Sequence, residues 1–431
     1  MDNILKTKKN ISGLSGEITI PPDKSISHRA LIFGALTKGI VEIKNLSLGE
    51  DCLATLKILE NLGVKYKFIS ERDLIIDSSN GFSIPKVALD CGNSGTTTRL
   101  LMGFLAGQNF DCELFGDESL SKRPMKRVIE PLTKMGAEIN SNDFKMPIKI
   151  KGKELNAIEY HTPIASAQVK SCLMLAGLNA LGKTKIYEKT LSRNHSEIML
   201  EYLGAKIKTG IENGEFFTEI EKSNLIPKSL EVVGDISSAS FFMVAAAITP
   251  NSHIIIKNVG INPTRTGILD IFKQAEINFN LLNQKTVCNE LCADIEVKYT
   301  PNIKPFVIQG EIIPRLIDEI PILAVLATQA QGKTIVKDAQ DLRNKESDRI
   351  KTIVEAFNEL GIEIKENQDG FEIIGKKEIS KIVSLKTYLD HRLAMSYYVM
   401  SLINQEQMEI KGFDCINTSF PEFMKLMEEL I

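Results

Sequence analysis

Four stretches of this chain follow one pattern: Leu62-Gly63-Val64-Lys65-Tyr66, Met135-Gly136-Ala137-Glu138-Ile139, Leu203-Gly204-Ala205-Lys206-Ile207 and Leu360-Gly361-Ile362-Glu363-Ile364. Such self-similarity constrains the fold strongly, because each copy must be one supersecondary unit that stacks on its neighbours. A helix pattern precedes each copy, at Cys52 to Asn61, Met125 to Lys134, Glu197 to Tyr202 and Arg349 to Glu359. The glycine ends that helix and period-2 alternation then starts a strand.

A second, more apolar helix is predicted upstream in each unit: Arg29 to Leu36, Thr98 to Leu105, Ala167 to Ala180, Ser238 to Ile248, Ile320 to Thr328 and Arg392 to Leu402. Being apolar on all faces, it should be the buried one. Strands are predicted after it, as at Ile40 to Ile43, Lys185 to Tyr187, Ile254 to Lys257 and Thr334 to Val336. Units of ~50–60 residues then begin near Gly16, Lys86, Ile158, Leu230, Phe306 and Ser384, the last stopping after its second helix. Each unit reads strand, helix, strand, helix, strand. Two sets of three give two similar α/β (α+β) domains, 22–234 and 1–21 plus 235–431, with hinge crossings near 20–22 and 234–236, at Pro21-Pro22 and Gly234-Asp235.

Charge and cysteine usage remove several function classes. With 52 Lys+Arg against 55 Asp+Glu and a net charge of −3, no nucleic-acid binding by bulk charge is expected. The longest apolar run, Phe241 to Ile248, is far short of the ~20 residues of a membrane span. The Lys-rich opening lacks the features of a secretory signal, and the seven cysteines never form a CxxC pair, so a cytoplasmic protein is expected. Cys288 and Cys292 have no His or second pair nearby, which argues against a metal clip. Gly177 to Thr184 satisfies the GxxxxGK[ST] pattern of a phosphate loop, but a helix precedes it and a strand follows, the reverse of what that loop needs.

The informative polar residues lie at the first strand-to-helix turn of each unit: Asp23 to Arg29, Asn93 to Arg99, Ser166 to Lys170, Asp235 to Ser238, Asp318-Glu319 and Asp390 to Arg392. Ordinary N-capping explains the Ser, Thr and Asp residues singly. It does not explain Lys24, Arg29 and Arg392, which oppose the helix dipole there and call for an anion. Two further basic clusters are Lys122-Arg123 with Lys126-Arg127, and Arg343, Lys345 and Arg349 around Glu346 and Asp348. Helical spacing predicts that Lys345 and Arg349, and likewise Arg123 and Arg127, stand one turn apart. A solvated charged face is the alternative reading of either cluster.

Lys24-Ser25-Ile26-Ser27-His28-Arg29, Gly92-Asn93-Ser94-Gly95-Thr96, Gly116-Asp117 through Arg123-Pro124-Met125, Ser166-Ala167-Gln168, Lys345-Glu346-Ser347-Asp348-Arg349 and Asp390-His391-Arg392 run in order over nearly the whole chain. In these motifs the sequence resembles the EPSP synthase family (3-phosphoshikimate 1-carboxyvinyltransferases). The resemblance implies the enolpyruvyl transferase fold, an inside-out α/β barrel of two domains, each of three βαβαββ units, closing around the substrates. It also implies transfer of the enolpyruvyl group of phosphoenolpyruvate to the 5-hydroxyl of shikimate 3-phosphate, with no metal or organic cofactor; a monomer with no nucleic-acid or membrane partner is expected. Phosphoenolpyruvate would be held by Lys24, Gly95, Arg123, Gln168, Arg349 and Arg392. Shikimate 3-phosphate would be held by Lys24, Ser25, Arg29, Ser166, Gln168, Arg193, Asp318 and Lys345. Asp318 is the implied base at the 5-hydroxyl, and Lys24 and Glu346 are the candidates for the C3 proton, with no choice between them from sequence.

Departures from the family pattern shape two further expectations. Some members carry a Lys before the C-terminal Phe-Pro, where this chain has Thr418-Ser419; others have Ser where it has Ala167 and Arg193. Arg193 is therefore expected to take over phosphate binding. Gly95 is expected to leave room beside phosphoenolpyruvate, making the enzyme sensitive to glyphosate. The alternatives are the sister transferase acting on UDP-N-acetylglucosamine, which would carry Lys-Asn in the first turn and a reactive loop Cys, and a non-catalytic repeat binding protein. Cys112 falls in a predicted strand, which disfavours the first alternative.

Overall fold

The computed structural model describes residues 3–7, 11–375 and 378–431. The chain divides into two lobes. The first comprises Pro22–Val233 with Thr286–Glu290, and the second comprises the chain up to Pro21, Gly234–Lys285 and Leu291–Ile431.

Six small sheets, five of four strands and one of three, are built from the described residues. One repeat shows the plan. Leu89–Asp90 runs parallel to Cys112–Phe115, across the helix Gly95–Ala106. The hairpin of Glu138–Asn142 and Lys145–Lys151, entered from the helix Lys126–Lys134, then adds antiparallel to Cys112–Phe115. This is the βαβαββ order, and the hydrophobic pattern places its first helix inside. In Ile236–Ile248 every residue but Ser238 is buried, and in Ile320–Thr328 every residue is buried.

The recurrent glycine closes each second helix in the same way. Gly63, Gly136, Gly204 and Gly361 have φ of 92°, 94°, 84° and 73°, left-handed backbone that a residue without Cβ adopts at little cost. The next amide then reaches back to the helix, as in Val64 N–H to Leu59 O at 3.0 Å and Ala137 N–H to Leu132 O at 3.0 Å. A fifth copy was invisible in sequence because it lacks the glycine. Ile277 N–H bonds Phe272 O at 2.9 Å after the helix Gly267–Gln274, with Glu276 at φ 56°.

The structure corrects one sequence expectation about the repeats. The strands predicted to open the first and fourth repeats are exchanged. Ser15–Thr19 pairs in parallel with His253–Gly260, and Leu230–Glu231 pairs in parallel with Ile40–Lys44. Sequence adjacency suggested the opposite partners, but each lobe completes its sheet with the strand that lies within that lobe. The sixth repeat ends after its second helix, Phe423–Leu430, in agreement with the sequence reading, and the strand it lacks comes from the other end of the chain, where Ile4–Lys6 pairs antiparallel to Met408–Lys411. The phosphate-loop look-alike is, as read, a helix end (Ala167–Gly177) followed by a strand (Lys183–Glu188).

Candidate active site

In the first lobe, helices Gly95–Ala106 and Ala167–Gly177 meet backbone to backbone. A Cβ at Gly103 would lie 2.0 Å from the Cys172 carbonyl oxygen, so only glycine permits this approach. One turn nearer the N-termini, the same contact sets Arg99 against Gln168: Arg99 Nη1 donates to Gln168 Oε1 at 2.7 Å. Gln168 Nε2 in turn donates to Thr96 Oγ1 at 3.1 Å. The caps are those expected, with Asp23 Oδ1 accepting from Ile26 N–H at 2.8 Å, Ser94 Oγ from Thr97 N–H at 3.1 Å and Ser166 Oγ from Val169 N–H at 3.5 Å.

Lys24 opens its helix, Lys24–Leu36, and its ammonium lies 3.1 Å from Asp51, a carboxylate that sequence reading passed over. Arg29 is buried, and its three guanidinium nitrogens donate to neutral groups: Ser196 Oγ at 2.7 Å, Ser171 Oγ at 2.8 Å and the Ser25 carbonyl at 2.9 Å. Burial pushes its pKa down to about 10, opposed by the charges of Glu197 and Asp23. Arg123 donates to Asn93 Oδ1 at 3.0 Å. It follows the helix Glu118–Lys122, whereas Arg127 lies in Lys126–Lys134, so the expected one-turn spacing on a single helix is wrong; Pro124 breaks the run.

Two residues that lie in the polar turns but were given no role from sequence shape this lobe. Arg99 is buried, and burial together with the nearby charges of Arg127 and Arg123 pushes its pKa down to about 9. Lys170 is fully buried between Glu188 and Glu197, each at 2.7 Å, and also donates to the Ser192 carbonyl at 3.3 Å. It thereby ties down the loop that carries Arg193. Burial opposes its charge, and the two carboxylates outweigh burial, raising its pKa. Their roles were not legible in sequence, since each occupies a helix position that becomes buried only on packing.

The second lobe holds the other candidates. Arg349 is buried and forks onto Asp390, with Nε to Oδ2 at 2.7 Å and Nη2 to Oδ1 at 3.1 Å, while Nη2 also meets Glu346 Oε2 at 2.7 Å. Burial opposes its charge, but Asp390, Glu346 and Asp318 together raise its pKa. Nη1 has no hydrogen-bond partner and lies 3.9 Å from Asp318 Oδ1. Lys345 Nζ approaches the same oxygen at 3.4 Å, and Arg392 Nη1 donates to the Asp318 carbonyl at 3.3 Å. Lys345 is not on the helix of Arg349, as its spacing had suggested. It ends a tight turn, Gln340–Asn344, and the helix begins at Arg349 after the Asp348 cap. The region around Gly95 is also less open than expected, because a Cβ there would lie 2.7 Å from Arg99 Nη1.

Repeated βαβαββ units, with guanidinium and ammonium groups collected at the buried-helix N-termini, define the enolpyruvyl transferase fold. The transferase NikO from Streptomyces tendae has it at a TM-score of 0.80 and 14% identity, over 100% of this chain and 98% of its own, a likeness of fold alone. EPSP synthase from Acinetobacter baumannii superposes at a TM-score of 0.89 with 37% identity, covering 100% of this chain and 98% of that one. Residues 8–427 match the family described as EPSP synthase (3-phosphoshikimate 1-carboxyvinyltransferase). The 3-phosphoshikimate 1-carboxyvinyltransferase of Petrotoga mobilis is 48% identical over 97% of each chain, and that of Thermoanaerobacter sp. (strain X514) is 45% identical over 100% of each. The chain belongs to the EPSP synthase family.

Proposed function

We propose that the cations described above serve the family's reaction. The chain transfers the enolpyruvyl group of phosphoenolpyruvate to shikimate 3-phosphate, in the shikimate pathway. The observation that carries the residue assignment is a surplus of guanidinium. Among the described residues no carboxylate lies within 4.0 Å of Arg99, Arg123 or Arg127, although their charges press on one another. Anionic substrates relieve that repulsion, and each substrate brings a phosphate and a carboxylate.

Phosphoenolpyruvate is assigned to Lys24, the Gly95 backbone, Arg123, Gln168, Arg349 through its unpartnered Nη1, and Arg392. Shikimate 3-phosphate is assigned to Lys24, Ser25, Arg29, Ser166, Gln168, Arg193, Asp318 and Lys345. Asp318 accepts the 5-hydroxyl proton as the oxygen attacks C2, and C3 takes a proton. The tetrahedral adduct then loses a C3 proton and expels phosphate. Lys24, paired with Asp51, and Glu346, paired with Arg349, are the two candidates for handling the C3 proton. The chain is assigned to the cytoplasm, a reading supported by its seven free cysteines, and is taken to act as a monomer; no helix of the described residues is long and apolar enough to cross a membrane.

Phosphate release on mixing the protein with both substrates tests the assignment, with UDP-N-acetylglucosamine in a parallel reaction. Release confined to the shikimate substrate is expected, falling at least about a hundredfold in Lys24→Met, with glyphosate competing against phosphoenolpyruvate. Full turnover in Lys24→Met would remove that lysine from the chemistry.

A further inference from the structure

We propose that Arg99 is a positioning residue for the transfer: it sets the Gln168 amide, and through it position 95 controls phosphoenolpyruvate binding. The inference rests on the reading above that Gln168 touches substrate.

Gln168 is held at both ends. Its oxygen accepts from Arg99 Nη1 at 2.7 Å and its nitrogen donates to Thr96 Oγ1 at 3.1 Å. An amide so fixed has its acceptor occupied, and it presents its remaining N–H to a ligand rich in oxygen. Reversed, it would turn a carbonyl toward the anion and a donor toward the guanidinium. Arg99 therefore decides which face of the amide the substrate meets.

Packing alone does not account for an arginine here. The side chain is 8% exposed, its Nε has no hydrogen-bond partner, and no carboxylate pairs with it among the described residues. A buried guanidinium without a counter-ion is costly, and an apolar side chain of similar volume would fill the space at lower cost. What the arginine adds is a directed donor at the Gln168 oxygen.

The same nitrogen links this arrangement to Gly95. A methyl at position 95 would stand 2.7 Å from Arg99 Nη1 and 3.6 Å from Cζ, but 3.8 Å from Arg123 Nη1. Arg99 Nη1 must then shift, and it is the atom that donates to Gln168. An alanine at 95 thus acts first on a protein group, and on the substrate through it.

Steady-state kinetics of Gln168→Ala, Arg99→Lys, Gly95→Ala and the Gly95→Ala/Arg99→Lys double variant tests this, with melting temperatures as the folding control. Lysine keeps the charge but lacks the planar fork. Gln168→Ala and Arg99→Lys should each raise KM for phosphoenolpyruvate about fivefold or more while kcat stays within about twofold, and Gly95→Ala should add less than about twofold in the Arg99→Lys background. Wild-type KM in Arg99→Lys, or full multiplication of the two single effects, overturns the inference while the Gln168 assignment stands. Unchanged KM in Gln168→Ala overturns both. Should Arg99→Lys fail to fold, Arg99→Met, which fills the space but has no donor for the Gln168 oxygen, takes its place with the same criteria.

Discussion

His28 is wholly buried in the helix Lys24–Leu36, with Nδ1 2.8 Å from the Thr55 hydroxyl, and burial pushes its pKa down to about 3. Unfolded, it would protonate near its ordinary value of ~6.5. Between those values the unfolded chain binds the extra proton, so stability is fully present above pH ~6.5 and is lost as the pH falls toward 3, by at most about 1.4 kcal/mol per pH unit from this group. His28→Asn should remove that part of the acid slope in urea titrations at pH 4 to 6, and an unchanged slope would place the acid sensitivity elsewhere. The Thr55 hydroxyl passes the contact on to Thr97 at 2.7 Å, and Thr97 to the Ser94 cap at 2.7 Å, so the neutral imidazole braces the turn that carries Gly95. Nothing in the sequence around His28 distinguishes this from a charged histidine, because the distinction lies in burial.

Among the elements, the capped second helix is the most regular, and its one irregular copy is instructive. Glu276 takes the left-handed conformation that Gly63, Gly136, Gly204 and Gly361 take elsewhere. A Cβ there costs about 1–2 kcal/mol, and glycine returns part of that gain as unfolded-state entropy. Glu276→Gly should therefore stabilise the protein by about 0.5–1 kcal/mol, read as a higher denaturation midpoint at unchanged m-value. A lower midpoint would show that the Glu276 side chain has a role of its own. The predicted buried helices were recovered with ends shifted by a few residues, as with Arg29 to Leu36 against Lys24–Leu36, because a helix that starts on Lys-Ser-Ile-Ser hides its first turn behind polar residues. Spacing failed where a cap or a proline intervened, at Asp348 and at Pro124, since i,i+4 arithmetic assumes an unbroken helix.

On the scale of the molecule, the chain ends are joined by pairing. Ile4–Lys6 lines the open edge of Met408–Lys411, and Thr7 adds its N–H to the Met408 carbonyl at 3.0 Å. The Thr7 hydroxyl also accepts the Met408 N–H at 3.1 Å. A chain starting at residue 8 loses this strand. With about 3 kcal/mol of backbone bonding removed and about 2–4 °C per kcal/mol for a domain of this size, the second lobe should melt on the order of 6–12 °C lower by calorimetry. An unshifted melt would make the strand dispensable. From its sequence alone the chain could be read as a set of repeats, with apolar first helices, glycine-ended second helices and polar turns collecting cations, because these follow from periodicity and capping, which are local. The family motifs then named the reaction. Tertiary structure alone decided which strand completes which sheet, that Arg99 and Lys170 are buried charges serving Gln168 and the Arg193 loop, that Arg349 is committed to Asp390 on all but one nitrogen, and that Gly95 faces Arg99. Those are relations between residues far apart in the chain, and only packing brings them within reach of one another.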